Sequence, residues 1–249
     1  MITIKTKKEL EKMNKCGKIV ALILKELEQK VKPGVTTAEL DQWAEKLIEK
    51  FHVRPAFKGY KGYRHCLCTS INEEVVHGIP SPKRKLQEGD IIGLDFGVIY
   101  EGYYGDSAIT VPVGEVSVNK QRLIDVTRNS LLKGIGKIKK NGSLSDVSSC
   151  IQAYVEKMGY SVVREFVGHG IGQSLHEDPP VPNYGEPGMG PTLEIGMVLA
   201  IEPMVNEGSP EVKILKDGWT AVTVDGSTSA HFEHTVAITE EGPKVFTSL

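Results

Sequence analysis

A chain of 249 residues, 40% hydrophobic and 25% charged, has the composition of one large globular domain or two small ones, which sets aside disorder and the coiled coil. Its 30 lysines and arginines against 32 aspartates and glutamates leave a net charge of −2, without the basic excess of a nucleic-acid binder, so no DNA partner is expected. The longest apolar run, Ile19 to Leu24, is far short of the roughly 20 residues that cross a bilayer, no secretory h-region is visible, and the four cysteines form no C-x-x-C pair, so reduced thiols in a cytoplasmic protein are expected.

In chain order, residues 7–30 carry apolar positions at Leu10, Met13, Cys16, Val20, Leu24 and Leu27, the period of a long amphipathic helix. Lys32-Pro33-Gly34 stops it. Thr37 then caps a second helix, Glu39 to Phe51, with Leu40, Trp43, Ala44, Leu47 and Ile48 on one stripe. Arg54 to Thr69, rich in Gly and Tyr, reads as loop and short strand. From Ile91 two apolar runs flank Tyr100-Glu101-Gly102, a β-hairpin. Residues 120–139 are helical again, Asn141-Gly142 breaks them, and Asp146 to Met158 forms a fourth helix ending at Gly159.

The second half repeats the first. Lys32-Pro33-Gly34 and Lys140-Asn141-Gly142 each separate two helices, 108 residues apart. Gly89 to Asp95 aligns without gaps on Gly196 to Glu202, offset by 107, and each segment reads as a buried strand ending in a carboxylate. The strands that follow correspond more loosely, placing Glu233 in the slot of Asp106. The expected fold is therefore α+β: one domain over 1–249 in which a helix–helix–hairpin unit is used twice, at about 7–113 and 120–240, with pseudo-two-fold symmetry.

That arrangement concentrates acids. A turn at Tyr100-Glu101 sets Asp95 directly opposite Asp106, and a turn at Glu101-Gly102 makes them diagonal neighbours; both registers keep them on one face. A single pair of this kind is ordinarily solvated. Glu202 and Glu233, at matching places in the second half, make four clustered carboxylates, which repel unless protonated or bridged by cations. A dinuclear divalent site neutralises them. Oxygen ligands with one imidazole favour Mn²⁺, Fe²⁺ or Co²⁺, with Zn²⁺ or Ni²⁺ as alternatives, over Mg²⁺ and Ca²⁺. Of the seven histidines, His77, His169 and His176 sit among Gly and Pro, and His169, between two glycines, is the best ligand candidate. His234, on the opposite face of the strand from Glu233, reads as structural.

INEEVVHGIP, the DFG…GDS hairpin, VVREFVGHGIG, IEPM and FEHT occur in that order over nearly the whole chain. The chain resembles type I methionine aminopeptidases, which have the pita-bread fold: two pseudo-symmetric halves around a central antiparallel sheet. The resemblance implies that Asp95 chelates one metal, that Asp106 and Glu233 bridge two, and that His169 and Glu202 complete the other shell. It implies a metal-bridging water or hydroxide as nucleophile, Glu202 as proton shuttle, and His77 and His176 as neutral donors to the tetrahedral intermediate and the scissile peptide. The substrates would be nascent-chain N-termini of the form Met-Xaa with a small second residue.

Tyr60, Tyr63, Cys68 and Trp219 resemble the family's methionine pocket, where aromatic and sulfur contacts suit a thioether. Phe57 stands where a smaller residue such as Cys is common, Leu175 where Phe is common, and Arg64 replaces a frequent Pro; Phe57 and Leu175 compensate one another in volume. The N-terminus, starting directly on the first helix, resembles the minimal bacterial form. Lys133, Lys137, Lys139 and Lys140 read as a solvated helix face, with contact to ribosomal RNA as the sharper alternative. The rivals are a prolidase-like peptidase, which usually carries an additional N-terminal domain, and a dead binding module, which would have lost metal ligands. The lack of an exposed apolar stripe points to a monomer.

Overall fold

The computed structural model describes all residues, 1–249. Four helices, α1 (Lys7–Glu28), α2 (Thr37–Lys50), α3 (Val118–Ile135) and α4 (Leu144–Lys157), come in two pairs. The strands of the first half are β1 (Arg54–Pro55), β2 (Leu67–Ile71), β3 (Glu74–Val76), β4 (Ile91–Tyr100) and β5 (Tyr103–Pro112). Those of the second half are β6 (Ser161–Val162), β7 (Gly168–Gly170), β8 (Glu177–Val181), β9 (Val198–Ile201), β10 (Met204–Asn206), β11 (Val212–Ile214), β12 (Ala221–Thr223), β13 (Ser229–His231), β14 (Glu233–Thr239) and β15 (Gly242–Val245).

Capping chemistry sets the helix starts. Thr6 with Glu9, Thr36 with Glu39, and Ser143 with Asp146 form reciprocal boxes that satisfy otherwise orphaned N–H groups. The cap of α2 is thus Thr36 and not Thr37, whose hydroxyl instead bonds the Ser81 carbonyl and amide. Asp146 is likewise the third residue of its capping box, so α4 starts two residues earlier than the pattern indicates. The third helix ends at Ile135, short of 139, where Gly134 and Gly136 weaken it. Between Arg54 and Thr69 the chain makes one 3₁₀ turn at Tyr60–Gly62 before entering β2.

A nine-stranded sheet runs β1-β4-β5-β14-β9-β7-β8, with β2 also on β4 and β15 also on β14. Alternation along its strands separates two environments. Leu94, Phe96 and Val111 face α1 and α2 and pack with Val20, Leu24, Leu27, Leu40 and Ile48. Leu199, Ile201, Val236 and Ile238 face α3 and α4 and pack with Leu123, Leu131, Val147, Ile151 and Val155. Each half therefore has its own helix-backed core, and the residues between these, Asp95, Ala108, Ala200 and Thr235, look to the other side.

The two-fold relation is visible in the loops. Gly34 N–H donates to Leu86 O (2.8 Å) and Asn141 N–H to Leu193 O (2.9 Å); the bridges Thr36–Lys85 and Ser143–Thr192 follow, all offset by 107. At the seam Glu233 pairs with Ala108 and His234 with Ser107. Beyond these pairs a threonine hydroxyl replaces the ladder on each side. Thr235 Oγ1 accepts from Asp106 N–H and donates to Asp106 O, and Thr110 Oγ1 does the same for His231.

This seam corrects the alignment of the halves. The β9–β14 and β10–β13 pairings share one register, so together they are the counterpart of β4–β5, interrupted at Glu202-Pro203 and at Phe232. Asp95 then matches Glu202 at offset 107, but Ala108 matches Glu233 and Asp106 matches His231 at offset 125. Glu233 does not occupy the slot of Asp106; it lies two residues further along. Nor does Asp95 end its strand: it is mid-strand in β4, and Glu202 alone follows a strand end.

Candidate active site

Residues paired across an antiparallel sheet share a face. The hairpin turn is at Glu101-Gly102, both with positive φ, so Asp95 pairs with Ala108 and Asp106 with Gly97, and the two aspartates are diagonal neighbours. One row across the sheet reads Cys68, Asp95, Ala108, Glu233, and the β9–β14 register continued past Ile201 adds Glu202. The adjacent row reads Gly97, Asp106, Thr235, Ala200, His169. All five ligand candidates thus emerge on the face away from the helices because of pairing register.

Ligand atoms of Asp106, His169 and Glu233 lie within 4.8 Å of one another. His169 Nδ1–H donates to the Gly170 carbonyl at 2.9 Å, which leaves Nε2 free, 3.7 Å from Glu202 Oε1. Asp95 Oδ1, Asp106 Oδ1 and Glu233 Oε1 are buried without a hydrogen-bond partner. No lysine or arginine pairs with any of the four acids; the ion-pair contacts of Glu202 are to His169 and His231. Burial pushes the Glu202 carboxyl up to about 8, and burial together with the charge of Glu202 pushes Asp106 up to about 8. Asp95 and Glu233 go well above the usual carboxylate range, by burial and then by the surrounding acids.

This donor set fits divalent cations. Orphaned carboxylate oxygens at such depth would each leave a large desolvation cost uncompensated, and an oxygen-rich cluster with one oriented imidazole is a donor set that divalent metals accept.

A cavity of about 170 Å³ opens onto the cluster. At about 30 Å³ per water it has room for one amino-acid side chain. Phe57, Tyr60, Tyr63, Cys68, Leu175 and Trp219 wall it, with His77 and His176 beside the five ligand candidates. Every residue singled out from the sequence as a site residue therefore lines one cavity. Phe57 and Leu175 belong to the same apolar cluster as Tyr63 and Cys68, so the larger and the smaller side chain share one wall.

The two flanking histidines are held differently. His77 has φ of 60°, a left-handed conformation unusual outside glycine, and its ring meets Phe166 edge-on. Gly78 follows because a Cβ there would come within 2.0 Å of the Thr69 carbonyl oxygen. His176 stacks on Tyr60, whose hydroxyl lies 2.8 Å from Nδ1. Burial lowers His77 and His169 to about 4 and lowers His176 as well, so all three rings are neutral at pH 7. His234 faces away and bonds Thr247 at 2.9 Å.

Two residues at the site receive no role from the sequence, although His231 stands out there as a flank of Glu233. Lys61 lines the cavity mouth, and nothing in its context marks it. His231 is 3% exposed, with Nε2 3.5 Å from Glu202 Oε2. Strand alternation could have found it, because it stands two residues before Glu233.

Comparison with known proteins gives the family. Residues 11–240 match metallopeptidase family M24. Methionine aminopeptidase 1 of Bacillus subtilis (strain 168) is 56% identical over 247 residues, 99% of each chain, and the methionine aminopeptidase of Clostridium acetobutylicum is 55% identical over the same length. The crystal structure of methionine aminopeptidase from Thermotoga maritima superposes with a TM-score of 0.98 at 51% identity, covering 100% of both chains. A prolidase from Pyrococcus furiosus shares the fold alone, with a TM-score of 0.79 at 23% identity; this chain covers 65% of it. The chain belongs to metallopeptidase family M24, among its methionine aminopeptidases.

Proposed function

We propose that the protein hydrolyses the peptide bond after an N-terminal methionine, and that Asp95, Asp106, His169, Glu202 and Glu233 would hold two divalent ions for the reaction. The observation that carries this reading is the row of buried, unpaired carboxylate oxygens at the floor of a cavity sized for one side chain. When bound, such ions supply Lewis acidity and lower the pKa of water.

The chain's own residues do the rest. Glu202 accepts a proton from the attacking water on a carboxylate oxygen and delivers it to the leaving amine. His77 and His176, neutral at pH 7, donate N–H to the scissile carbonyl and the developing oxyanion. Tyr63, Cys68 and Trp219 enclose the thioether, for which aromatic faces and sulfur are favourable partners. Phe57 and Leu175 complete that wall. The narrow cavity admits the first side chain only, which favours a small second residue.

The reading includes Co²⁺, Mn²⁺ or Fe²⁺ as the working ions, one catalytic domain over 1–249, a monomer, and nascent chains in the cytoplasm as substrates. No helix is long and apolar enough to cross a membrane. Lys133 lies over the Tyr154 ring and Lys140 pairs with Glu240, which favours a solvated face for the lysine cluster over ribosome contact.

Metal-stripped protein is assayed on Met-Ala-Ser and on a Xaa-Pro peptide, before and after Mn²⁺ or Co²⁺ is added. Metal-dependent release of methionine alone is the expected result. Cleavage of only the Xaa-Pro peptide would place the chain with the prolidases in activity, and cleavage of neither by folded, reloaded protein would overturn the proposal.

A further inference from the structure

We propose that His231 is a positioning residue: its Nε2–H donates to Oε2 of Glu202 and holds that carboxylate in one orientation while Oε1 faces the ligand cluster. The inference rests on the proton-shuttle role given to Glu202 above.

Glu202 needs an external hold. Strand β9 ends at Ile201 and β10 begins at Met204, so Glu202 and Pro203 sit in a break with no ladder pairing of their own. Only the Glu202 carbonyl is tied, by Asn183 Nδ2 at 3.0 Å. The carboxylate itself accepts no hydrogen bond from a backbone amide or hydroxyl; its neighbours are the two Nε2 atoms, His169 at 3.7 Å from Oε1 and His231 at 3.5 Å from Oε2. A group that takes a proton and returns it along a fixed line has to be held within about 0.5 Å of the productive geometry.

His231 is built to supply that hold. It is the two-fold counterpart of Asp106, so the same fold position that aims Asp106 at the cluster aims His231 at it from the other half. Both polar backbone groups are clamped by one hydroxyl: Thr110 Oγ1 accepts from the His231 N–H (2.9 Å) and donates to its carbonyl (2.7 Å). Its strand β13 is also paired with β10, His231 to Met204. The ring is 4% exposed, and Nε2 is one of the buried polar atoms with no partner. The remaining gap to Oε2 is a few tenths of an ångström above hydrogen-bond length, within the tightening that catalytic contacts undergo on substrate binding.

The test uses metal-loaded protein carrying His231→Leu, which removes the donor, and His231→Gln, which keeps one. The measurements are kcat and KM on Met-Ala-Ser, metal per chain, melting temperature, and a crystal structure of each metal-free variant. The leucine variant is expected to lose about 10–100-fold in kcat with KM within about threefold, as for other residues that orient a ligand. Metal content and melting temperature should stay near those of the parent. The glutamine variant should recover most of kcat, and Glu202 should have one orientation in the parent and in His231→Gln, but two or a rotated one in His231→Leu. Should the leucine variant not fold, His231→Phe takes its place.

A kcat within twofold of the parent with Glu202 unmoved would overturn the inference. So would failure of glutamine to rescue, or loss of bound metal, which would make His231 a ligand instead. Glu202→Gln run in parallel separates the two readings. If it leaves kcat intact, the shuttle role fails, while the crystal structures still report whether His231 orients the carboxylate.

Discussion

Between Ile91 and Pro112 the two long strands of the first half pair at every position and close with a two-residue turn. Their counterparts in the second half keep one register but are cut at Glu202-Pro203 and Phe232, and residues 207–228 stand in place of the turn. The same pairing pattern thus serves two purposes. Continuous pleat fixes the backbone of Asp95 and Asp106, the two acids proposed as ligands in this half. The interrupted copy frees Glu202 from the ladder and sends out an excursion that brings Trp219 to the pocket wall and docks β12 on β3 beside His77. Both halves supply acids and pocket wall, but only the second interrupts its hairpin at an acid of the cluster.

The sharpest attack on that difference swaps the matched acids. Glu202→Gln should lower kcat by about 10²–10⁴-fold while metal stays bound, as expected for loss of a general base; Asp95→Asn should act first on metal content, read by elemental analysis. Equal metal loss in both would mean that the interruption does not set Glu202 apart from Asp95.

Metal removal tests the cluster as a whole. The carboxyls of Asp106 and Glu202 are raised from 3.8 and 4.5 to about 8, both by burial and Asp106 also by the charge of Glu202. An acid raised in the fold favours folding fully below its unfolded value and loses that contribution as pH climbs through the folded value. Metal-free protein should therefore drop in melting temperature from about pH 4 to pH 8, and the gain on adding Mn²⁺ should grow over the same window. A gain independent of pH would show that these acids are already compensated without metal.

Smaller effects come from the turn and its replacement. Trp219→Ala should raise KM about tenfold, the scale of one good apolar contact set, with stability little changed. Gly102→Ala, at φ of 84°, should cost about 1 kcal/mol of stability and leave KM alone. Smallest are Thr110→Val and Thr235→Val, each removing one seam hydroxyl at about 1 kcal/mol in chemical denaturation. A larger cost for Thr235→Val would indicate that the seam is asymmetric, since that hydroxyl alone holds the backbone of a proposed ligand, Asp106.

Much of this was legible in the primary structure because it is local. Helix stripes, a hairpin turn within Tyr100-Glu101-Gly102 and the two seven-residue segments Gly89–Asp95 and Gly196–Glu202 are each patterns within a few residues; which pair makes the turn was not decided there. What stayed hidden depends on pairing between distant segments. Whether Asp106 matches Glu233 or His231 is decided by the β5–β14 register, which no short window contains. Strand β2, Leu-Cys-Thr-Ser-Ile, is buried at every position and so lacks the alternation that marks a strand. His77 and His176 could have been read as mates: they are 99 apart, the same offset that relates β2 to β7 through their partners on β4 and β9.

The left-handed backbone at His77 has a consequence for any attempt to harden the protein. A non-glycine residue held there is disfavoured by about 1–3 kcal/mol and persists because the surrounding structure enforces it. Glycine or asparagine fits that conformation better. A library selected for heat resistance alone should enrich His77→Gly and His77→Asn, and its most durable members should be the ones that no longer turn over substrate.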